Sequence, residues 1–369
     1  MRHTAAVIAT VALLAPSLST QAPVGPTGGV AVELKPTGGR GLTEVHGIKV
    51  GSVTLTERPT GCTVVLVDGE GVPGGVSQRG GAPGTSETDL LNPSNMVDKV
   101  NAIVLAGGSA YGLDARIGVV RYLEEHKTGW RVPTGVVPIV PSAILFDLAI
   151  GNRPDVRPTA DCGYRGATAA SAAPVAEGNV GAGAGATVGK MGGRMMMKGG
   201  LGSAAFRLPN GLVVAALAAT NGVGDVIDPE TGTVVAGART ADGKSLLDIR
   251  KFLRSGGLDR GAAPRAGENT TIAVVATNAR LTKTEVNRMA LMADDGFARA
   301  INPSHTMGDG DTVFALATGR WDGQASVSVI GALASDALAE AIVRAVSKAE
   351  SIEGIPSAQS LGTVPSRIK

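Results

Sequence analysis

A chain of 369 residues, 43% hydrophobic and 18% charged, carries enough apolar matter for a sizeable core and too little charge for a disordered protein. Lys and Arg total 34 against 32 Asp and Glu, a formal net charge of +2, so the basic footprint of a nucleic-acid binder is missing and no nucleic-acid partner is expected. Aromatics make up only 3%, whereas the 53 glycines are about twice the ordinary ~7% share without the Gly-X-Y period of collagen, which points to tight turns and close backbone packing.

Residues 1–22 open with Arg2 and His3, continue through an apolar run at 5–14 and reach Thr20-Gln21-Ala22, the three-part shape of a secretory leader; an N-terminal tail is the alternative. Used as a leader, the segment implies export or a periplasmic location; otherwise the protein is cytoplasmic. Residues 23–40, rich in Pro and Gly, read as a linker, and 41–369 as one domain, since neither a composition break nor an internal repeat divides them. No segment approaches the ~20 apolar residues of a transmembrane helix, so no membrane partner is expected. From Gly41, β-branched runs at 63–67, 102–105 and 136–140 predict strands and 113–125 predicts a helix, an α/β or α+β pattern. Cys62 and Cys162 are too few for a disulfide scaffold or a cysteine metal site; they read as two buried thiols, with a single disulfide as the alternative. His3, His46, His126 and His305 show no metal-ligand spacing, and no metal or organic cofactor is implied. Runs at 204–208 and 212–218, joined by Pro209-Asn210-Gly211, predict a hairpin, and Asn221 opens a Gly/Asp-rich loop. Residues 271–277 predict a strand. Thr282 and Glu285 then form a capping box, followed by a helical face of Val286, Met289, Ala290, Ala293 and Phe297; 311–318 predicts a strand and 333–346 an Ala-rich helix.

Several stretches approach a catalytic motif without completing it. Ser109, in a strand–turn–helix context, would need Gly at Tyr111 to form a nucleophile elbow. Residues 184–191, AGATVGKM, have Ala for the first glycine of a phosphate loop and Met for its Ser/Thr, and the plainer reading of 181–190 is a glycine-rich bend beside a sheet; a nucleotide-binding module built on it would stay uncleaved. Asp309-Gly310-Asp311 supplies too few oxygens for a hard cation and reads as a turn into a strand. Asn269-Thr270-Thr271 reads, by itself, as an Asn turn or a glycosylation sequon.

The combination says more than its parts. GLTEVHGIKVGSVT (41–54), IVLAGGSAYGLDA (103–115), GAGAGATVGKMGG (181–193), ATNGVGDVIDP (219–229), ENTTIAVVATNARLTKTEVNRMA (268–290) and HTMGDGDTVFALATG (305–319) occur in the order of one family. The chain resembles the self-processing aminopeptidase/D-esterase and β-aminopeptidase family of peptidases, and most closely its nylon-oligomer hydrolase branch, over roughly residues 41–350. The resemblance implies an αββα sandwich and a chain that cuts itself at Asn269-Thr270, leaving Thr270 as the N-terminal nucleophile of the smaller fragment. A freed α-amino group of ordinary pKa about 7.7 to 8.0 could then serve as base for the Thr hydroxyl. It further implies Lys190 beside that hydroxyl, damping the amine's pKa by like charge. Asn221 becomes an oxyanion donor, and Asp309 and Asp311 the acidic pair of the nylon-oligomer branch, where the aminopeptidase branch has Ser and Glu. Phe146 departs from the family's usual Tyr and cannot donate a hydrogen bond, so it is not a catalytic candidate. The expected activity is hydrolysis of amide bonds in 6-aminohexanoate or similar oligomers through an acyl-Thr270 intermediate. Its rivals are an aminopeptidase acting on short peptides and an acyltransferase of the ornithine acetyltransferase type. The expected partners are an oligoamide or peptide substrate, the protein's own two fragments, and further copies in a homotetramer.

Overall fold

Strands whose side chains are apolar on both faces must be covered on both, and the core of this chain is made of such strands. The computed structural model describes residues 1, 36, 39–191, 195–257, 269–352 and 354–368. The chain divides into a unit Met1–Glu33 and a unit Leu34–Lys369; the second contains both main sheets and the helices that pack on them. All but Met1 of the leader expected over 1–22 and nearly all of the linker at 23–40 lie outside the described residues, as do Gly192, Gly193 and Glu268 of the six ordered motifs.

One sheet orders β1 (Ile48–Leu55), β2 (Thr60–Val67), β4 (Ala102–Ala106) and β5 (Ser142–Ile144), with Thr85–Ser86 at its edge. The other orders β6 (Gly200–Arg207), β7 (Val213–Thr220), β8 (Ile272–Thr277), β9 (Thr312–Ala317) and β3 (Val72–Gln78), ending in Lys99–Val100. The side-chain alternation of a strand assigns each residue to a layer. On β7, Val213, Ala215, Leu217 and Ala219 enter the core between the sheets, while Val214, Ala216 and Ala218 face a second core under helices. Ile272, Val274 and Ala276 of β8 likewise point inward, and Ala273 and Val275 outward. Helices α1 (Ala115–Glu125) and α2 (Ala160–Ala169) cover the first sheet. Helices α3 (Lys283–Ala293) and α5 (Val327–Lys348) cover the second. The result is the expected αββα sandwich.

Where expectation and structure part, a local cause is visible. The strand expected at 136–140 shrinks to Gly135–Val137, paired with Trp130–Val132, because Pro138 has no N–H for a ladder. The helix expected from 113 begins as a 3₁₀ segment, Ser109–Asp114. The capping box forms as expected, but α3 stops at Ala293, and Phe297, fully buried, belongs to the next helix α4 (Asp295–Ala300). The Asp294 side chain between them is drawn inward by the Ser77 hydroxyl. Helix α2 gave little signal, because Gly163 and Gly166 have poor helix propensity. They are there for contact: a Cβ on Gly163 would stand 1.7 Å from the Ala115 carbonyl oxygen of α1.

The two cysteines correct the reading of buried thiols. Packing of α2 across β2 brings Cys162 to Cys62, and their sulfurs are bonded, at 2.08 Å, across 100 residues of sequence. Both sites are buried. Among the described residues no helix is long and apolar enough to cross a membrane.

Candidate active site

Strand β8 runs antiparallel to β7, with Ile272 opposite Ala219, and parallel to β9, with Ile272 opposite Thr312. One end of the second sheet therefore gathers the exit of β7 and the entries of β8 and β9. Those three chain ends are Asn221, Asn269-Thr270-Thr271 and Asp309-Gly310-Asp311.

Thr270 is almost completely buried, 2% exposed. Its N–H donates to the Asn221 carbonyl at 3.2 Å, and its hydroxyl donates to the carbonyl oxygen of Asn269, its own neighbour. That same carbonyl accepts the Gly310 N–H at 2.9 Å. A hydroxyl and an oxyanion-type donor thus converge on one peptide bond. Gly310 is required by space: a Cβ there would stand 2.7 Å from Thr270 Oγ1 and 2.6 Å from the Ala82 carbonyl oxygen. Gly310→Ala is therefore expected to displace the Thr270 hydroxyl and to slow any cut at 269–270 by roughly a hundredfold, the order of losing one oxyanion donor. A time course of intact mass after synthesis checks this, and an unchanged half-time would remove Gly310 from the site.

Asn221 is held on every side. Its Oδ1 accepts the Thr187 N–H and Lys190 Nζ, each at 2.9 Å, its backbone carbonyl accepts Lys190 Nζ at 3.1 Å, and its Nδ2 donates to the Phe146 carbonyl at 3.0 Å. Phe146 therefore meets the site through its backbone, a link that needs no phenolic hydroxyl. Its neighbour Asp147 fixes that backbone: it pairs with Arg58 at 2.9 Å, both side chains fully buried, and accepts the Gly108 N–H at 2.8 Å and the Thr60 hydroxyl at 2.7 Å. Removing one partner of such a pair strands a buried charge, at about 3 to 5 kcal/mol. The bend at 181–190 is fastened by Lys198, whose buried ammonium donates to the carbonyls of Gly183, Ala186 and Gly199. Burial pushes its pKa down to about 7. In this arrangement carbonyls of the bend serve Lys198 and its Thr187 N–H serves Asn221.

Asp309 accepts from the Val223 N–H at 3.2 Å and from the Thr306 N–H and hydroxyl at 3.2 and 2.6 Å. Burial, and then the charge of Asp311, push it up to about 6. Asp311 accepts the Thr271 N–H and the His305 N–H, both at 2.9 Å. The structure thus brings Thr270, Lys190, Asn221, Asp309 and Asp311 to one end of the sheet, with Asp311 reaching the entry of β8 at Thr271. Asn269 is 3% exposed, which leaves a glycan no room and sets the sequon aside. Sequence reasoning missed Asp147, Lys198 and His305; only His305 stood inside one of the ordered motifs, and nothing in MMMKGG signals a buried lysine. Among the described residues no group of three or more His, Cys, Asp or Glu could hold a metal ion.

The model of peptidase family S58 matches residues 40–359. The chain belongs to this family. An uncharacterised aminopeptidase of Mycobacterium leprae is 43% identical over 86% of this chain and 92% of its own length. A 6-aminohexanoate-oligomer endohydrolase of Kocuria is 31% identical over 90% and 94%. Among solved structures, a Burkholderia β-aminopeptidase superposes with a TM-score of 0.65 at 21% identity, covering 90% of this chain and 94% of that one. An L-aminopeptidase D-Ala-esterase/amidase from Ochrobactrum anthropi, described as a variant of the Ntn-hydrolase fold, gives 0.65 at 19%, over 89% and 94%. As a member of family S58 the protein is a hydrolase of amide bonds on an Ntn-hydrolase-type sandwich.

Proposed function

We propose that the protein cuts itself at Asn269–Thr270 and then hydrolyses amide bonds of 6-aminohexanoate or similar ω-amino-acid oligomers through an acyl-Thr270 intermediate. The observation that carries this is the pairing of the Thr270 hydroxyl and the Gly310 N–H on the Asn269 carbonyl. Attack of Oγ1 on that carbonyl carbon closes a five-membered ring, and the oxyanion keeps the Gly310 donor. Collapse breaks the C–N bond, the proton passes to the Thr270 nitrogen, and an ester with a free amine results. Water then opens the ester, leaving the Asn269 carboxylate and restoring the hydroxyl. In the mature enzyme a substrate carbonyl takes the place of the Asn269 carbonyl. The Thr270 amine serves as base, and Gly310 N–H and Asn221 Nδ2 as donors, each of the kind worth about 2.7 to 4 kcal/mol. Lys190, seated on Asn221, holds the amine's pKa down by like charge.

The acidic pair Asp309 and Asp311 favours an oligomer hydrolase, because the resemblance places such a pair in that branch. The higher identity to mycobacterial aminopeptidases favours a second reading, removal of N-terminal residues from short peptides. A cyclic 6-aminohexanoate oligomer separates them, since it has no terminus. Matured protein is expected to open the cycle and to cut linear oligomers at internal bonds. Hydrolysis of an α-peptide amide alone, one residue at a time, replaces this assignment with the aminopeptidase one.

A further inference from the structure

The loop before β9 contains a histidine that the proposed chemistry leaves unused. His305 Nδ1 lies 3.1 Å from Asp311 Oδ2 and Nε2 lies 3.3 Å from Asp294 Oδ1, with both ring nitrogens buried. Its backbone N–H donates to Asp311 Oδ2 at 2.9 Å, so ring and main chain both face the same carboxylate oxygen. Asp294 is in turn fixed by the Ser77 hydroxyl and lies 3.5 Å from Arg79 Nε. The charged groups facing the ring are thus Asp311 from the entry of β9, Asp294 from the α3–α4 junction and Arg79 from beyond β3, while α4 adds only the edge-on ring of Phe297.

A neutral imidazole has one N–H and one lone pair. Between two carboxylates, the lone pair would face another lone pair; only the doubly protonated ring serves both sides. We infer that His305 is a positioning residue, an imidazolium seated between Asp294 and Asp311 that fixes the carboxylate on which the Thr271 amide, and with it the nucleophile strand, is hung. This rests on the assignment of Thr270 as nucleophile. Burial pulls the ring's pKa down, but contact with Asp311 and the charges of Asp311 and Asp294 outweigh it and hold it above the ordinary value. The clamp is therefore complete at low pH and is lost as pH rises through the raised value, which puts an alkaline limb on activity. The Thr270 amine, a base only when deprotonated, supplies the acid limb.

His305 has φ +55°, a left-handed backbone that asparagine adopts at little cost. His305→Asn therefore keeps the loop, but its amide cannot bridge both carboxylates and does not titrate. Matured H305N is expected to lose on the order of tenfold in kcat with KM within about twofold, and to lose the alkaline limb while keeping the acid one. Retention of the wild-type alkaline limb, or kcat within about twofold of wild type, overturns the inference. Thr270→Ala, assayed in parallel, tests the nucleophile separately: an active T270A sinks that assignment and not the clamp. The clamp is decided independently by NMR titration of the four histidine rings in T270A protein, the His305 signal being identified through its contact with Phe297. A His305 midpoint above about 6.5 that falls on adding Asp311→Asn supports it; a midpoint at or below that value, or one indifferent to D311N, overturns it.

Discussion

Thr270→Ala is expected to leave a single full-length chain with no measurable hydrolysis, whereas the unaltered protein is expected to give two fragments meeting at Asn269–Thr270. On the proposed mechanism the hydroxyl that lies against the Asn269 carbonyl would be the attacking group in both the cut and the turnover, so one substitution would stop both. Removing a covalent nucleophile costs on the order of 10⁴-fold or more in kcat, since what remains is oxyanion stabilisation and binding. Thr270→Ser keeps the oxygen and is expected to cut and turn over. Both cysteines lie on the N-terminal side of that bond, so the fragments would separate on a gel even without reductant. Intact mass showing an uncut but fully active wild type, or a processed T270A, would end the proposal.

The largest expected effect on stability comes from the Cys62–Cys162 bridge. It ties the second strand of one sheet to the outer helix α2 and closes a loop of 100 residues. By chain entropy a loop of that size contributes about 4.7 kcal/mol, because the cross-link removes conformations chiefly from the unfolded chain. Replacing both cysteines by alanine should lower the unfolding free energy by about 3 to 5 kcal/mol. Urea unfolding is best compared in the T270A background, where a single chain keeps the transition interpretable. A difference under about 1 kcal/mol would mean that the bridge merely decorates a fold already fixed by packing.

The second sheet was legible because its strands are buried on both faces: 271–277 and 311–318 are nearly continuous apolar runs, and the structure trims the first by Thr271 and the second by Asp311 and Thr318. The hairpin and the Thr282–Glu285 capping box were legible because turn and cap chemistry is local. Helix α2 was not, since its glycines are chosen for contact, Gly163 with α1 and Gly166 with Val64 of β2, and not for propensity. The disulfide was not, since nothing local relates a strand residue to a helix residue 100 positions away. The convergence of Asn221, Thr270 and Asp311 came from ordered motifs, because the register that makes them neighbours is a property of three strands together. The supporting set escaped for the same reason: Asp147 acts through the Phe146 backbone and His305 through a carboxylate, links that no spacing in the sequence encodes.

The place of β8 and β9 in the second sheet bears on what self-cleavage would do to the protein as a polymer. Both strands belong to the small piece, 270–369, yet they lie in the interior of the sheet, between β7 and β3 of the large piece. The nick would leave two chains interleaved through ladders on both flanks, and dilution alone could not part them without breaking a sheet. Molecularity would change even though the contacts do not. An unfolded precursor regains its structure by a first-order process, whereas unfolded mature protein must first find its complement, so its recovery becomes second-order and falls with concentration. Cleavage would then convert an equilibrium fold into one whose persistence is set by how slowly it opens.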